Sequence, residues 1–436
     1  MRAVPVLVRR PAPANCSVRP DADPAASRVL AHTGGPLRVI GGPGTGKTTL
    51  VAHAVADRIV HRGVDPEQVL VLTASRGAAA QLRERITELL ATGGERRTVR
   101  EPLVRTVHSY AFAVLRLQAS LHGLPPPRLL SGPEQDVVVR DLLAGDAETG
   151  EGGWPARLRP ALRLPAFATE LRDLLLRAAE RGLRPDDLIA LGREHHRDEW
   201  VAAGRFFRSY QQVTLLRGSA DTGPPQGSAP ALDAAELVSA ARLVLDTDAE
   251  VLRRERDRVR HLVVDDAQHL DPQQAQLVRT LGADADELLA LGDPDQTVFS
   301  FRGADPALLT TGDSPVVTLR TDHRMAPEVR AAVSRLASRL PGPSREPGGS
   351  TAAGGQIRVE VFRSAAIEAA WVADRLRRAH LLDGVAWADM AVLVRSTAAS
   401  LPVLRRALLA AGVPVAVPRA ALPVARQGAV LPLLSL

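Results

Sequence analysis

The chain has 436 residues, 45% of them hydrophobic, and its formal net charge of +6 fits a polyanionic partner or an arginine-rich solvated surface equally well. This length predicts two or three domains with apolar cores, and the single cysteine, Cys16, excludes an internal disulfide framework or a cysteine-based zinc site and fits a reducing cytoplasm. We predict no membrane partner, because no apolar run approaches the roughly 18 residues of a membrane span and the N-terminal apolar segment is too short for a signal peptide.

The first strongly patterned stretch follows a predicted loose tail, residues 1–22. An apolar strand, Leu37–Ile40, precedes Gly41–Thr48, and apolar residues at helical spacing follow over Thr49–Val60. Gly41–Thr48 fits the P-loop pattern, in which backbone N–H groups wrap a phosphate, a lysine neutralises its oxygens and a threonine hydroxyl binds Mg²⁺. Lys47 is the only lysine among 55 Lys and Arg residues. So strong an arginine bias favours a functional need for a compact charge here over a chance glycine-rich turn.

Strands and helices alternate after the P-loop. Continuous apolar runs predict strands at Val69–Thr73 and Leu103–Val107, and an amphipathic pattern predicts a helix over Ala78–Leu90. This alternation predicts an α/β fold with a parallel sheet, in which functional residues follow the carboxyl ends of the strands.

Residues 131–245 change character and predict an all-helical insertion. We expect polar mobile loops at 145–153 and 217–232, which are rich in glycine or in glycine, proline and serine. The predicted helices are Pro133–Leu143, Pro165–Arg181, Asp198–Leu216 and Asp233–Leu245.

Two carboxylates end the next apolar strand, His261–Asp266. In a P-loop protein the first, Asp265, would hold the Mg²⁺ shell, and the second, Asp266, would orient or deprotonate the attacking water. The alternative is a plain helix cap.

An aromatic pair follows the strand predicted at Glu287–Leu291. Phe299 and Phe301 stand two positions apart beside Arg302, and strand-like alternation would project both rings to one side as a stacking platform for unpaired bases. The alternative is two ordinary core rings. Gln296 is predicted to reach a γ-phosphate.

The remaining chain repeats the α/β pattern. A strand at Val316–Leu319 leads through His323-Arg324 to a helix at Pro327–Leu340, and residues 341–355 read as a linker. Beyond it the sequence predicts a second α/β domain, 356–436, that ends before a full sheet can form. Its predicted strands are Ile357–Phe362, Met390–Arg395 and Val413–Val417, and its predicted helices are Ala365–His380 and Leu401–Ala411.

These motifs, in this order, resemble the superfamily 1 DNA helicases of the UvrD/Rep/PcrA type, and within them actinobacterial helicase-nuclease subunits such as AdnA. The resemblance covers Asp23 to about Pro418. It implies a RecA-like P-loop NTPase domain 1A formed by residues 23–130 and 246–340. It also implies that 131–245 is the helical subdomain 1B and that 356–436 begins an incomplete second RecA-like domain, 2A.

The same resemblance assigns roles to individual residues. ATP would be bound by Gly41, Gly42, Pro43, Gly44, Thr45, Gly46, Lys47, Thr48, Thr49 and His323. Thr48 and Asp265 would bind Mg²⁺, and the catalytic residues would be Asp266, Gln296 and Arg324. Single-stranded DNA would be contacted by Thr73, Ser75, Arg76, His108, Phe299, Phe301 and Arg302.

The sequence departs from the family pattern at several positions. The adenine-reading glutamine would fall near Ala25, yet no glutamine precedes Gln68. Asp266 replaces a glutamate and is one methylene shorter, Ala74 replaces a DNA-contacting phenylalanine, and His269 replaces an aspartate. The family's motifs V and VI would lie past the end of this sequence, so these residues read as the front half of a motor.

The predicted function is an ATP-dependent 3′-to-5′ DNA helicase of repair or recombination. The expected partners are single-stranded or partly duplex DNA and a second helicase-nuclease subunit. An alternative is a nucleotide-gated DNA-binding module with little turnover, and a third reading is a P-loop NTPase of unrelated purpose. We expect weak ATP hydrolysis that DNA barely stimulates.

Overall fold

The computed structural model describes residues 23–91, 103–220, 231–340, 349–350 and 354–416. The predicted N-terminal tail and most of the predicted linker lie outside the described residues. The chain divides into two compact units, with the boundary between Gly355 and Gln356.

A six-stranded parallel sheet forms the centre of the first unit, which confirms the predicted α/β fold. The strand order is β3-β2-β6-β7-β1-β8, and every neighbouring pair is parallel. A separate two-stranded pair is formed by β4 and β5. The strands are β1 Gly35–Gly41, β2 Val69–Thr73, β3 Leu103–Thr106, β4 Arg128–Leu129, β5 Ala231–Leu232, β6 His261–Val264, β7 Glu287–Gly292 and β8 Val316–Leu319.

Side-chain alternation along the strands fills two cores, one on each face of the sheet. Val69 and Val71 of β2 join one buried cluster, and Leu70 and Leu72 join the other. Because both faces are covered, all five residues of β2 are buried.

The helices that cover the sheet lie in the first unit, and the described part of the second unit contributes two further helices. None of the helices in the described ranges is both long and apolar enough to cross a membrane. They are α1 Pro24–Leu30, α2 Lys47–Val60, α3 Arg76–Ala91, α4 Val107–Leu121, α5 Gly132–Thr149, α6 Pro165–Glu180, α7 Pro185–Glu194, α8 Asp198–Ala220, α9 Ala234–Thr247, α10 Ala249–Arg258, α11 Pro272–Gly282, α12 Ala307–Thr310, α13 Pro327–Ala337, α14 Ala365–Leu381 and α15 Thr397–Ala410.

The helical insertion has its own apolar core, built from α5 to α8 and centred on Trp154, Phe206 and Phe207. Helix α9, which the sequence analysis placed in the insertion, instead contributes Leu237 and Val244 to the core of the sheet. The predicted loop at 145–153 is also partly wrong, because α5 continues to Thr149 and ends at Gly150 in a left-handed conformation.

The second unit contains α14 and α15, close to the two predicted helices. The predicted strands are wrong, because residues 357–362, 390–395 and 413–416 form no regular strand. A strand needs a hydrogen-bonded neighbour, and an apolar pattern alone does not supply one. Val361 and Leu393 are accordingly 93% and 96% exposed. That residues 356–436 begin a RecA-like domain stays a prediction.

Candidate nucleotide and nucleic-acid site

The loop between β1 and α2 has the backbone geometry that cradles phosphate. Gly44 and Gly46 have φ angles of +80° and +81°, which glycine adopts without strain. Helix α2 begins at Lys47, so its free N-terminal N–H groups face the loop, and Thr48 and Thr49 lie in its first turn. Thr45 donates its hydroxyl to the carbonyl of Gly42 at 2.8 Å, which closes the turn around Pro43.

The Lys47 amine lies inside this loop. Its Nζ donates to the carbonyl oxygens of Gly41 at 2.7 Å and Gly42 at 3.0 Å. Burial lowers the pKa of Lys47, whereas the negative charges of Asp293, Asp266 and Asp265 raise it. Arg324 lowers this pKa further. Groups from four strand ends therefore surround one amine.

Thr48 and Asp265 meet directly. The threonine hydroxyl donates to Asp265 Oδ2 at 2.8 Å. Burial, then the neighbouring Asp266, raises the pKa of Asp265 to about 6. A hydroxyl and a carboxylate are oxygen donors of the kind that Mg²⁺ prefers, with phosphate and water completing its shell. The pair therefore fits Mg²⁺, and no cluster of three or more potential metal-binding His, Cys, Asp or Glu side chains occurs among the described residues.

Asp266 follows β6 in a left-handed conformation, with φ of 55°. This conformation is uncommon outside glycine and turns the chain sharply after the strand. Its Oδ1 accepts a hydrogen bond from Gln268 Nε2 at 3.2 Å, and its N–H donates to Asp265 Oδ1 at 3.1 Å.

Gln268 and Asp293 connect the carboxylates to Gln296, and sequence reasoning gave neither a role. Gln268 is buried, and its Oε1 accepts from the N–H of Asp293 at 3.1 Å. The Asp293 Oδ2 in turn accepts from Gln296 Nε2 at 2.7 Å. A signal was present in the sequence, since both residues lie in the motifs that follow β6 and β7. A continuous polar chain thus runs from Asp266 to Gln296.

His323 and Arg324, which follow β8, lie against the P-loop. The N–H of His323 donates to the carbonyl of Gly44 at 2.9 Å. A side chain on Gly44 would overlap the carboxylate of Asp322 and press on Arg324. Asp322, which sequence reasoning missed, is fully buried.

The aromatic pair lies together on the surface, but for a different reason from the one predicted. Phe299 precedes a 3₁₀ turn at Ser300–Arg302 and Phe301 lies within it, so the two residues do not alternate along a strand. The rings of Phe299 and Phe301 are 6.3 Å apart, and the Arg302 guanidinium lies 5.8 Å and 5.4 Å from them. His269 packs edge-on against Phe299 at 4.8 Å, so the aromatic strip, which we define as Phe299 and Phe301, touches the segment that carries Asp266.

A cleft of ≈ 920 Å³ opens beside the ends of β2 and β3. Its walls include Ser75, Arg76 and His108, and its described walls do not include Phe299 or Phe301. Burial and then Arg76 lower the pKa of His108. Thr73 is buried below the cleft and donates its hydroxyl to the carbonyl of Ser75 at 3.1 Å. Three further arginines line the cleft without having been predicted: Arg83, Arg105 and Arg116.

Both the family model and the similar proteins that match this chain are described as helicases. A family model described as the UvrD/REP helicase N-terminal domain matches residues 22–315. The chain is 27% identical over 403 residues to the ATP-dependent DNA helicase UvrD2 of Mycobacterium tuberculosis, covering 90% of this chain and 54% of that protein. It is also 27% identical over 406 residues to the ATP-dependent DNA helicase UvrD1 of Mycobacterium bovis, covering 90% and 49%.

A more distant relative is a probable DNA helicase II homolog of Mycoplasma capricolum, 24% identical over 272 residues, or 62% of this chain and 33% of that protein. The chain spans about half the length of the mycobacterial relatives it matches. With the parallel sheet, the P-loop and the paired aspartates already in place, the match over residues 22–315 shows that the chain belongs to the UvrD/REP helicase N-terminal domain family.

Proposed function

We propose that this chain binds and hydrolyses ATP and binds single-stranded DNA as the N-terminal motor part of an ATP-dependent DNA helicase. One observation carries the proposal: the amine of Lys47 is held by the P-loop carbonyls of Gly41 and Gly42 and lies in the electrostatic field of Asp265, Asp266, Asp293 and Arg324, which follow β6, β7 and β8. A triphosphate needs this combination of cations and acids at one place. Relatives named as ATP-dependent DNA helicases support it.

Each group has a proposed task at the phosphates. The P-loop N–H groups and Lys47 bind the β- and γ-phosphates, after the amine leaves the carbonyls of Gly41 and Gly42. Thr48 and Asp265 hold Mg²⁺, which neutralises phosphate charge when bound. Gln296 and Arg324 contact the γ-phosphate, and the ring of His323 packs on adenine.

Asp266 is the proposed acceptor for the proton of the attacking water. Asp266 has a left-handed backbone conformation directly after β6, and the hydrogen bond from Gln268 fixes one of its carboxylate oxygens. The other oxygen, Oδ2, is the one proposed to accept the proton.

The nucleic-acid surface has two proposed parts. Phe299, Phe301 and Arg302 supply stacking and a positive charge, which suit an unpaired strand. Ser75, Arg76 and His108 line the cleft, where arginines would meet the phosphodiester backbone. From the family resemblance we further propose 3′-to-5′ movement, a role in repair or recombination, a cytoplasmic location and a second helicase-nuclease subunit as partner.

A second candidate is a nucleotide-gated DNA-binding module with little turnover. Asp266 favours it, because its short side chain is also held by Gln268 and by its own backbone turn. A base that sits off the water would slow hydrolysis while leaving nucleotide binding intact.

Hydrolysis of radiolabelled ATP by the 436-residue chain, with and without single-stranded DNA, tests both candidates. The wild type is expected to hydrolyse ATP, and Lys47→Ala is expected to reduce the rate at least about 100-fold, as loss of a phosphate-binding charge does. Nucleotide binding without hydrolysis would select the second candidate. A rate that Lys47→Ala leaves unchanged would contradict both, since the turnover would then not come from the P-loop.

A further inference from the structure

A buried carboxylate organises the turn that carries His323 and Arg324. Asp322 has no exposed surface, and its Oδ1 accepts hydrogen bonds from the N–H groups of Arg324 at 2.8 Å and Met325 at 3.0 Å. Its own N–H donates to the carbonyl of Gly349 at 2.9 Å. The direction in which Arg324 leaves the sheet is therefore set by Asp322.

This carboxylate also contacts the P-loop. The space where a side chain on Gly44 would begin is occupied by Asp322 Oδ1, and Gly44 has a positive φ of +80°. Next to it, the N–H of His323 donates to the carbonyl of Gly44 at 2.9 Å. The turn and the phosphate-binding loop thus lie in direct contact.

Arg330 joins the same cluster from helix α13. Its Nη1 donates to Asp322 Oδ2 at 3.3 Å, and its side chain is only 15% exposed. The guanidinium lies over Gly42, with Nη1 and Nη2 at 3.6 Å and 4.0 Å from the position that a Cβ on Gly42 would occupy. The Nε is buried and has no hydrogen-bond partner among the described residues.

We propose that Arg330, through Asp322, is a positioning residue that holds Arg324 over the phosphate-binding loop. Arg330 neutralises the buried carboxylate and packs on Gly42, so it links α13, the turn and the P-loop. Removing it takes a charged hydrogen bond from the buried carboxylate and the packing from Gly42, so the turn can shift away from the P-loop. Arg324 moves with that turn. The inference rests on the proposed function, because it assumes that Arg324 reads the γ-phosphate.

The test compares two nucleotides that differ by the γ-phosphate. Fluorescent ADP and the fluorescent non-hydrolysable ATP analogue AMP-PNP are titrated into the wild-type chain and Arg330→Leu. The affinity for AMP-PNP is expected to fall about tenfold, as for a lost charged hydrogen bond, and the affinity for ADP by less than about twofold. Arg330→Lys should restore part of the AMP-PNP affinity, because it keeps the charge without the planar fork.

Two further variants make the result decisive. Arg335→Leu removes an exposed arginine from the same helix and should bind both nucleotides like the wild type. Asp322→Asn keeps an oxygen for the two backbone bonds but loses the charge, so it should reproduce the selective loss of AMP-PNP even if Arg330→Leu folds poorly. Equal losses for the two nucleotides, or no loss in either variant, would overturn the inference alone. A wild-type chain that binds neither nucleotide would overturn the proposed function with it.

Discussion

The candidate site has two regions, the phosphate side around Lys47, Asp265 and Gln268 and the aromatic strip of Phe299 and Phe301. They differ in how their side chains are held. Lys47, Asp265 and Gln268 are linked to partners across several strand ends. Phe301, by contrast, is 68% exposed and contacts only Phe299 and Arg302 in the ring and cation contacts of the described residues. A buried polar network is costly to break because unpaired groups cannot reach water, whereas exposed rings can change without cost to the fold. The first region should therefore combine stability with chemistry, and the second should carry binding alone.

Gln268→Ala should lower both ATP hydrolysis and stability on the phosphate side. It removes the bonds to both Asp266 and Asp293, so the chain of contacts to Gln296 is cut. We expect ATP hydrolysis to fall about 30-fold or more and unfolding free energy to fall by about 1–3 kcal/mol. Single-turnover hydrolysis and urea unfolding measure the two quantities.

The matched control is Gln274→Ala, another buried glutamine, on α11. It should lower stability by a similar amount and leave hydrolysis per folded molecule unchanged. If both variants lost activity equally, destabilisation rather than the polar chain would explain the loss, and the contrast between the two regions would weaken.

Phe301→Ala should separate binding from stability on the aromatic side. The ring is expected to stack on an unpaired base, so the dissociation constant for single-stranded DNA should rise about 5- to 100-fold in a fluorescence anisotropy titration. The thermal midpoint should not change, because little surface is buried there. Leu336→Ala, at 66% exposure, is the control. Equal DNA affinity in the two variants would remove the aromatic strip from the nucleic-acid surface.

Asp265→Asn should show, through the pH dependence of thermal stability, what the buried charge on the phosphate side costs the fold. The folded-state pKa of Asp265 is raised to about 6, above its ordinary value of 3.8, so the native state binds more protons than the unfolded state between these values and stability falls as pH rises through them. Asparagine has no carboxyl group to ionise, so the variant should not lose this stability as the pH rises. We expect the nucleotide-free variant to melt about 3 °C higher than the wild type near pH 8, with a smaller gain near pH 4.5. A gain that does not depend on pH would show that the buried charge is not its cause.

The sequence predicted the sheet well because its signals are local. Val69–Thr73 is a continuous apolar run between polar segments, and β2 has those bounds. The same kind of pattern was wrong at 357–362, since pairing depends on a neighbouring strand and not on the segment itself.

The candidate site also contains some residues that local motifs predict and others that they do not. Lys47 and Asp265 could be predicted from short motifs, and a hydrogen bond from Thr48 to Asp265 joins the two segments. Gln268, Asp322 and Arg330 act through contacts with residues 8 to more than 200 positions away or through backbone turns, which no local pattern encodes. Phe299 and Phe301 were correctly paired, but a 3₁₀ turn rather than strand alternation places them together.

We propose that the phosphate side and the exposed aromatic strip form one coupled site, joined through Gln268 and through the contact of His269 with Phe299. The dissociation constant for single-stranded DNA, measured with and without saturating AMP-PNP, tests it most directly. We expect AMP-PNP to change this dissociation constant at least about fivefold, which is the lower range of known coupling between sites. An affinity for DNA that stays the same within error, while AMP-PNP is shown to be bound, would contradict it.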